Sequence, residues 1–118
     1  SERAAILTAL TYLDAEDLVP LVRPLLADRS PAVREAAVRF LAMFRDPESL
    51  PQLAAILRRA CAKASKDELL KIGLLGVAEV APTLEEIAAD PEADGPRRFG
   101  ASQALLSLGL SRSARALV

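Results

Sequence analysis

The chain has 118 residues, 15 basic and 16 acidic, and its net charge of −1 supplies no bulk electrostatic attraction to nucleic acid. An apolar fraction of 52% excludes a disordered tail, and the length predicts a single domain over residues 1–118. The absence of histidine removes the usual catalytic triads and most zinc sites, and a lone cysteine, Cys61, permits no internal disulfide.

Ala and Leu dominate, aromatics make up 3% of the chain and β-branched residues are few, so helices are favoured over strands. No run of about 18 apolar residues lacks a charge, so no membrane-inserted helix is expected. No signal peptide opens the chain, and a cytoplasmic location is the resulting expectation.

In chain order, the first predicted helix spans roughly residues 2–13, apolar at Ile6, Leu7, Leu10 and Leu13. A second begins after Asp14 and runs 15–27 with Pro20 near its start. A third, 31–45, opens on the N-cap Ser30 and on Pro31, then carries Val33, Ala36, Ala37, Phe40, Leu41 and Phe44 at helical spacing. A fourth spans 47–63 with Pro51 in its first turns. A fifth, 66–79, starts at a capping-box pair, Ser65 and Glu68. A sixth, 81–89, carries Pro82. A seventh, 96–108, follows the turn residues Pro91 to Gly95, and the start of a further helix is expected after Ser111.

Prolines 20, 51 and 82 are spaced 31 residues apart, twice over. The apolar residues two and five places after each proline also match: Val22 and Leu25, Leu53 and Ile56, Leu84 and Ile87. The helices therefore alternate between an A type, with proline in the first turn, and a B type. Short connections between them force antiparallel neighbours. The predicted fold is all-α, an α-α superhelix of about three helix pairs in a right-handed stack, with partial repeats at the ends. Gly inside a helix costs about 1 kcal/mol against Ala, so Gly73, Gly76 and Gly100, like the small Ala36, point to close approach of neighbouring helices.

The stretch from Pro20 to Leu41, with Asp28 in the A-to-B turn and Val33-Arg34 opening the B helix, resembles the HEAT repeat. The likeness is greatest to the short bacterial type that also occurs in phycobilisome lyase-like repeat proteins. It implies a hydrogen-bonded ladder of Asp and Arg inside the stack: Asp28 with Arg34, and Asp90 with Arg97, interrupted in the middle repeat. It also implies a scaffold or adaptor that binds other proteins without catalysis. The alternative is the repeat domain of a chromophore lyase-like or DNA-repair-like protein. In resembling proteins the B helices line the binding surface, usually the concave one. Glu35, Arg39 and Ala42, then Lys71, Ala78 and Glu79, then Gln103 and Ser107 are the positions expected there. Of these Glu35, Arg39, Lys71, Glu79 and Gln103 are the candidate partner-binding residues.

Other chemistry is thin. Arg58, Arg59 and Lys63 near Cys61 would lower a thiol pKa, but the simpler reading of Cys61 is a small helix residue. Glu85-Glu86 with Asp90, Glu92 and Asp94 lacks the spacing of a Ca²⁺ loop. Arg58, Arg59, Lys63, Lys66 and Lys71 form a basic cluster suited to a phosphate or an acidic peptide, interrupted by Asp67 and Glu68. No catalytic residue, cofactor or metal is expected. The expected partner is another protein or further repeats. Nucleic acid is not expected, and both ends look cut through a repeat, which would favour self-association.

Overall fold

Helix after helix follows from the caps and prolines. The computed structural model describes residues 2–12 and 16–116, with side chains described for 2–6, 9 and 17–109. Among the described residues there are seven α-helices and no strand: α1 Glu2–Tyr12, α2 Val19–Val22, α3 Pro31–Met43, α4 Leu50–Cys61, α5 Lys66–Leu74, α6 Ala81–Ala89 and α7 Gly95–Ala116. The expected features at Leu7, Leu10, Leu13 and Asp14, and the side chains from Leu110 to Val118, lie outside the described residues. No helix among the described residues is long and apolar enough to cross a membrane.

The residues divide into two compact units, 1–51 and 52–118. In the first, α1 and the 23–27 segment both pack on α3. Ser30 caps α3 by accepting from the Val33 N–H, and Pro31 occupies the first turn, where a missing N–H does no harm. The buried face of α3 is Val33, Ala36, Ala37, Phe40 and Leu41, at helical spacing. Val38 and Ala42 are buried as well, so Ala42 does not belong to the outward strip expected of it. The helix ends in a Schellman arrangement. Arg45 adopts φ 52°, its N–H donates to the Ala42 carbonyl, and the Asp46 N–H donates to the Leu41 carbonyl.

The A helix expected over 15–27 is not one helix. A four-residue α2 lies between 3₁₀ segments at Glu16–Leu18 and Arg23–Ala27. Pro24 is the cause: four residues beyond Pro20, it has no N–H to donate to that carbonyl, so the chain tightens into 3₁₀ geometry.

In the second unit α7 packs against both α5 and α6. The α5 capping box is complete: Ser65 Oγ accepts from the Glu68 N–H, and Glu68 Oε1 accepts from the Ser65 N–H. α5 stops at Leu74, five residues before the expected end. Gly76 takes φ 74° and closes the helix, so it is a cap and not an interior glycine. Ala78 and Glu79 consequently leave the B helix and enter a 3₁₀ turn that leads into α6.

Gly73 sets the approach of α5 to α7. A Cβ there would lie 2.6 Å from Ala104 Cα, and one at Gly100 would lie 2.9 Å from the Lys66 carbonyl oxygen. These contacts advance in the same direction along both helices, so α5 and α7 run parallel. The expected break between Leu108 and Ser111 is absent: α7 continues through Gly109 to Ala116. A single exposed Gly is too weak a breaker to stop it without a proline.

Two glycine substitutions therefore have opposite signs. Gly73→Ala destabilises by about 1–3 kcal/mol through overpacking. Gly109→Ala meets nothing within 4 Å and stabilises by about 0.5–1 kcal/mol as a helix-interior replacement. Urea unfolding of the pair checks both; a destabilising Gly109→Ala would place a break in α7.

Candidate functional site

The polar residues that organise the A-to-B turns are engaged with the backbone. Asp28 follows the last 3₁₀ residue, and its carboxylate accepts from the Ser30 N–H at 3.0 Å. Arg3 from α1 adds two hydrogen bonds, Nη1 to Oδ1 at 3.0 Å and Nη2 to Oδ2 at 3.2 Å. The Ser30 N–H, then the Arg3 guanidinium, hold the Asp28 carboxyl below the usual carboxylate range. Arg34 does not bond that carboxylate. Its Nη1 donates to the Asp28 carbonyl at 2.7 Å and to the Arg29 carbonyl at 3.2 Å, closing the turn from the helix side.

Asp90 and Arg97 are likewise not paired with each other. Asp90 Oδ1 accepts from the Glu92 N–H, while Arg97 Nη2 reaches back to the Cys61 carbonyl at 2.9 Å. Arg97 therefore ties the start of α7 to the end of α4. Asp94 caps α7 by accepting from the Arg97 N–H at 2.7 Å.

Asp28→Ala removes the acceptor for both the turn amide and Arg3, and lowers the melting temperature at neutral pH. Arg29→Ala, exposed next door and acting on Asp28 only through its charge, lowers it less. Equal melting temperatures for the two variants would reduce Asp28 to a surface charge.

The best-satisfied polar centre is one that sequence reasoning missed. Asp46, only 4% exposed, accepts from Arg23 Nε at 2.8 Å, Arg23 Nη2 at 2.6 Å, the Ser49 hydroxyl at 2.5 Å and the Ser49 N–H at 3.2 Å. Glu48 adds a second carboxylate to Arg23 at 2.9 Å. The local signal was Asp46-Pro47-Glu48-Ser49, a turn sequence ahead of a helix. The Arg23 partner, 23 residues upstream, has no local signature.

Cys61 is fully buried, and burial raises its thiol pKa, with Arg97 opposing the rise. Activation by Arg58, Arg59 and Lys63 is thereby corrected. Desolvation of the thiolate outweighs the cations, and a buried thiol is inert.

The candidate partner-binding residues are distributed as follows. Glu35 and Arg39 lie exposed one turn apart on α3, with exposed Met43 a further turn on. Lys71 is exposed on α5, followed by Leu74 at 72% exposure. Gln103 is half-buried on α7, between exposed Phe99 and Leu106. Glu79 is exposed but stands in the turn before α6, where its carbonyl accepts weakly from Arg58 Nη1. It therefore lies outside the helix that carries Lys71. The apolar members Met43, Leu74, Phe99 and Leu106 were absent from the sequence reading because helical periodicity alone assigns large apolar residues to the core.

The family model for HEAT repeats matches residues 1–71. The chain belongs to the HEAT-repeat family. No curated protein and no solved structure gives a match. HEAT repeats generally form non-catalytic scaffolds and commonly mediate protein–protein interaction.

Proposed function

We propose that this HEAT-repeat chain is a protein-binding scaffold or adaptor module, docking partners through the outward faces of α3, α5 and α7. The observation that carries this reading is the placement of large apolar side chains in water on those helices. Met43, Leu74, Phe99 and Leu106 are each more than half exposed, although every one of these helices also buries an apolar face. On α3, Glu35 and Arg39 precede Met43, and on α5 Lys71 precedes Leu74, so each face carries charge beside its apolar residue. Protein interfaces combine such features: apolar anchors within a polar rim.

The mixed charge favours a protein over nucleic acid, which requires a continuous basic track.

The test is affinity capture from extracts of the source cells, comparing the protein with its Met43→Glu/Leu74→Glu variant. Both positions are exposed, so the variant keeps its helical spectrum. Loss of specific partners from the variant supports the reading. Identical capture by the two proteins removes these faces from the account.

A further inference from the structure

Two helices, α1 and α7, expose rows of apolar and small side chains with almost no charge among them. On α7 the row is Phe99, Ser102, Leu106 and Gly109, at helical spacing and all exposed. It lies on the side away from Ala101, Ala104 and Leu108, which are buried. On α1 the row is Glu2, Ala5, Ile6 and Ala9, exposed although α1 packs on α3. Ile6, Phe99 and Leu106 each have more than half of their surface in water. The exposed residues of α3 and α5 differ. α3 shows Arg34, Glu35 and Arg39, and α5 shows Lys66, Asp67, Glu68 and Lys71.

The packing inside the chain shows what covers such a row. α5 lies parallel to α7, and small residues set the approach: a Cβ on Gly73 would meet Ala104 Cα at 2.6 Å. The exposed row of α7 is on the opposite side from that contact, so a further helix laid there continues the same side-by-side packing. Such a helix needs small residues for close approach and a large apolar side chain to fill the space beside them. Ala5, Ala9 and Ile6 on α1 meet that need. Apolar residues gathered on one exposed face, with charge excluded from it, mark a protein interface.

We infer that α7 of one copy receives α1 of a second copy, with Ile6 and Leu106 anchoring the contact. The inference rests on the scaffold reading for α7 alone, to which it gives a partner. Two observations select the occupant: the contact continues the α5–α7 packing, and one chain carries both nearly uncharged rows. Because the two faces differ, the contact is heterologous. A pair of copies leaves one α1 and one α7 open, and further copies add until a ring closes.

The experiment is sedimentation velocity on the full chain over a wide range of concentration. The mass of the wild-type protein rises with concentration. Ile6→Glu and Leu106→Glu each weaken association at least about tenfold, since each places an unpaired charge in the contact. An equimolar mixture of the two restores a dimer and nothing larger, because each variant keeps the face that the other has lost. Met43→Glu on α3 associates as the wild type does. Circular dichroism verifies that the variants remain helical, and Ser102→Arg takes the place of Leu106→Glu if the latter unfolds. A wild-type protein that stays monomeric, an Ile6→Glu or Leu106→Glu variant that associates as the wild type does, or a mixture that stays monomeric overturns the inference. Partner capture that fails with Met43→Glu/Leu74→Glu while the wild-type protein is monomeric removes the α1–α7 contact and leaves the scaffold reading standing. Identical capture with association intact removes the faces of α3 and α5 and keeps this contact.

Discussion

Replacing Phe40 with alanine destabilises the protein by about 3–5 kcal/mol. Phe40 has no exposed surface, and its ring lies 4.8 Å, centroid to centroid, from that of Phe44 in a tilted pair. It lies in the second half of α3, the helix on which both α1 and the 23–27 segment pack. Truncation removes the largest buried side chain of that layer and leaves a cavity that three rigid elements cannot all close. The loss therefore includes a cavity contribution besides the transfer free energy. Urea unfolding at constant temperature measures it. Arg39→Ala, exposed on the preceding residue, changes stability by less than about 0.5 kcal/mol. A loss below about 1 kcal/mol for Phe40→Ala would mean that the face of α3 is misassigned.

The second large effect is expected at Asp46. Asp46→Ala removes four hydrogen-bond acceptances from a nearly inaccessible site and strands part of the Arg23 guanidinium. A loss of about 2–4 kcal/mol follows, smaller than for a fully buried pair because Arg23 retains Glu48 and some solvent. The carboxyl pKa is lowered from 3.8 to about 2, chiefly by the Arg23 hydrogen bonds, with Ser49 adding to the effect. The sign is that of a depressed acid. The ionised form is preferred in the folded state, so its contribution is complete above about pH 5. It is lost progressively as pH falls from about 4 toward 2. The pKa-linked part amounts to about 2 kcal/mol. The stability gap between the wild-type protein and Asp46→Asn should thus be wide near neutral pH and narrow toward about pH 2. A gap independent of pH would show that Asp46 acts through packing alone.

Much of the helix order was legible because caps and prolines act locally. Ser30-Pro31 fixed the start of α3, the Ser65/Glu68 pair fixed that of α5, and the Pro spacing located α2, α4 and α6. Helix ends were harder. Pro24 broke a helix that apolar spacing alone would have continued, and Gly76 ended α5 before the periodicity did. At Gly109 the opposite occurred, since one weak helix former lacked the strength to end α7. Close packing at Gly73 and Gly100 was readable from the cost of interior glycine.

The polar contacts were less legible because they depend on tertiary neighbours. Arg34 bonds the carbonyl of Asp28 in place of its carboxylate, which Arg3 and the Ser30 amide occupy. Arg23 finds Asp46 through folding and not through spacing. The outward Met43, Leu74, Phe99 and Leu106 escaped notice because composition cannot tell an apolar residue held for a partner from one held for the core.

Site-specific photo-crosslinking tests the scaffold claim most directly. A photoreactive residue is placed singly at Arg39, Lys71 and Phe99 on the B helices, and at exposed Glu85 on the A helix α6 as the control. The proteins are then illuminated in extracts of the source cells. The account predicts discrete partner adducts from the three B-helix positions and none from Glu85. Adducts concentrated at Glu85, or the same diffuse background at all four positions, would contradict it.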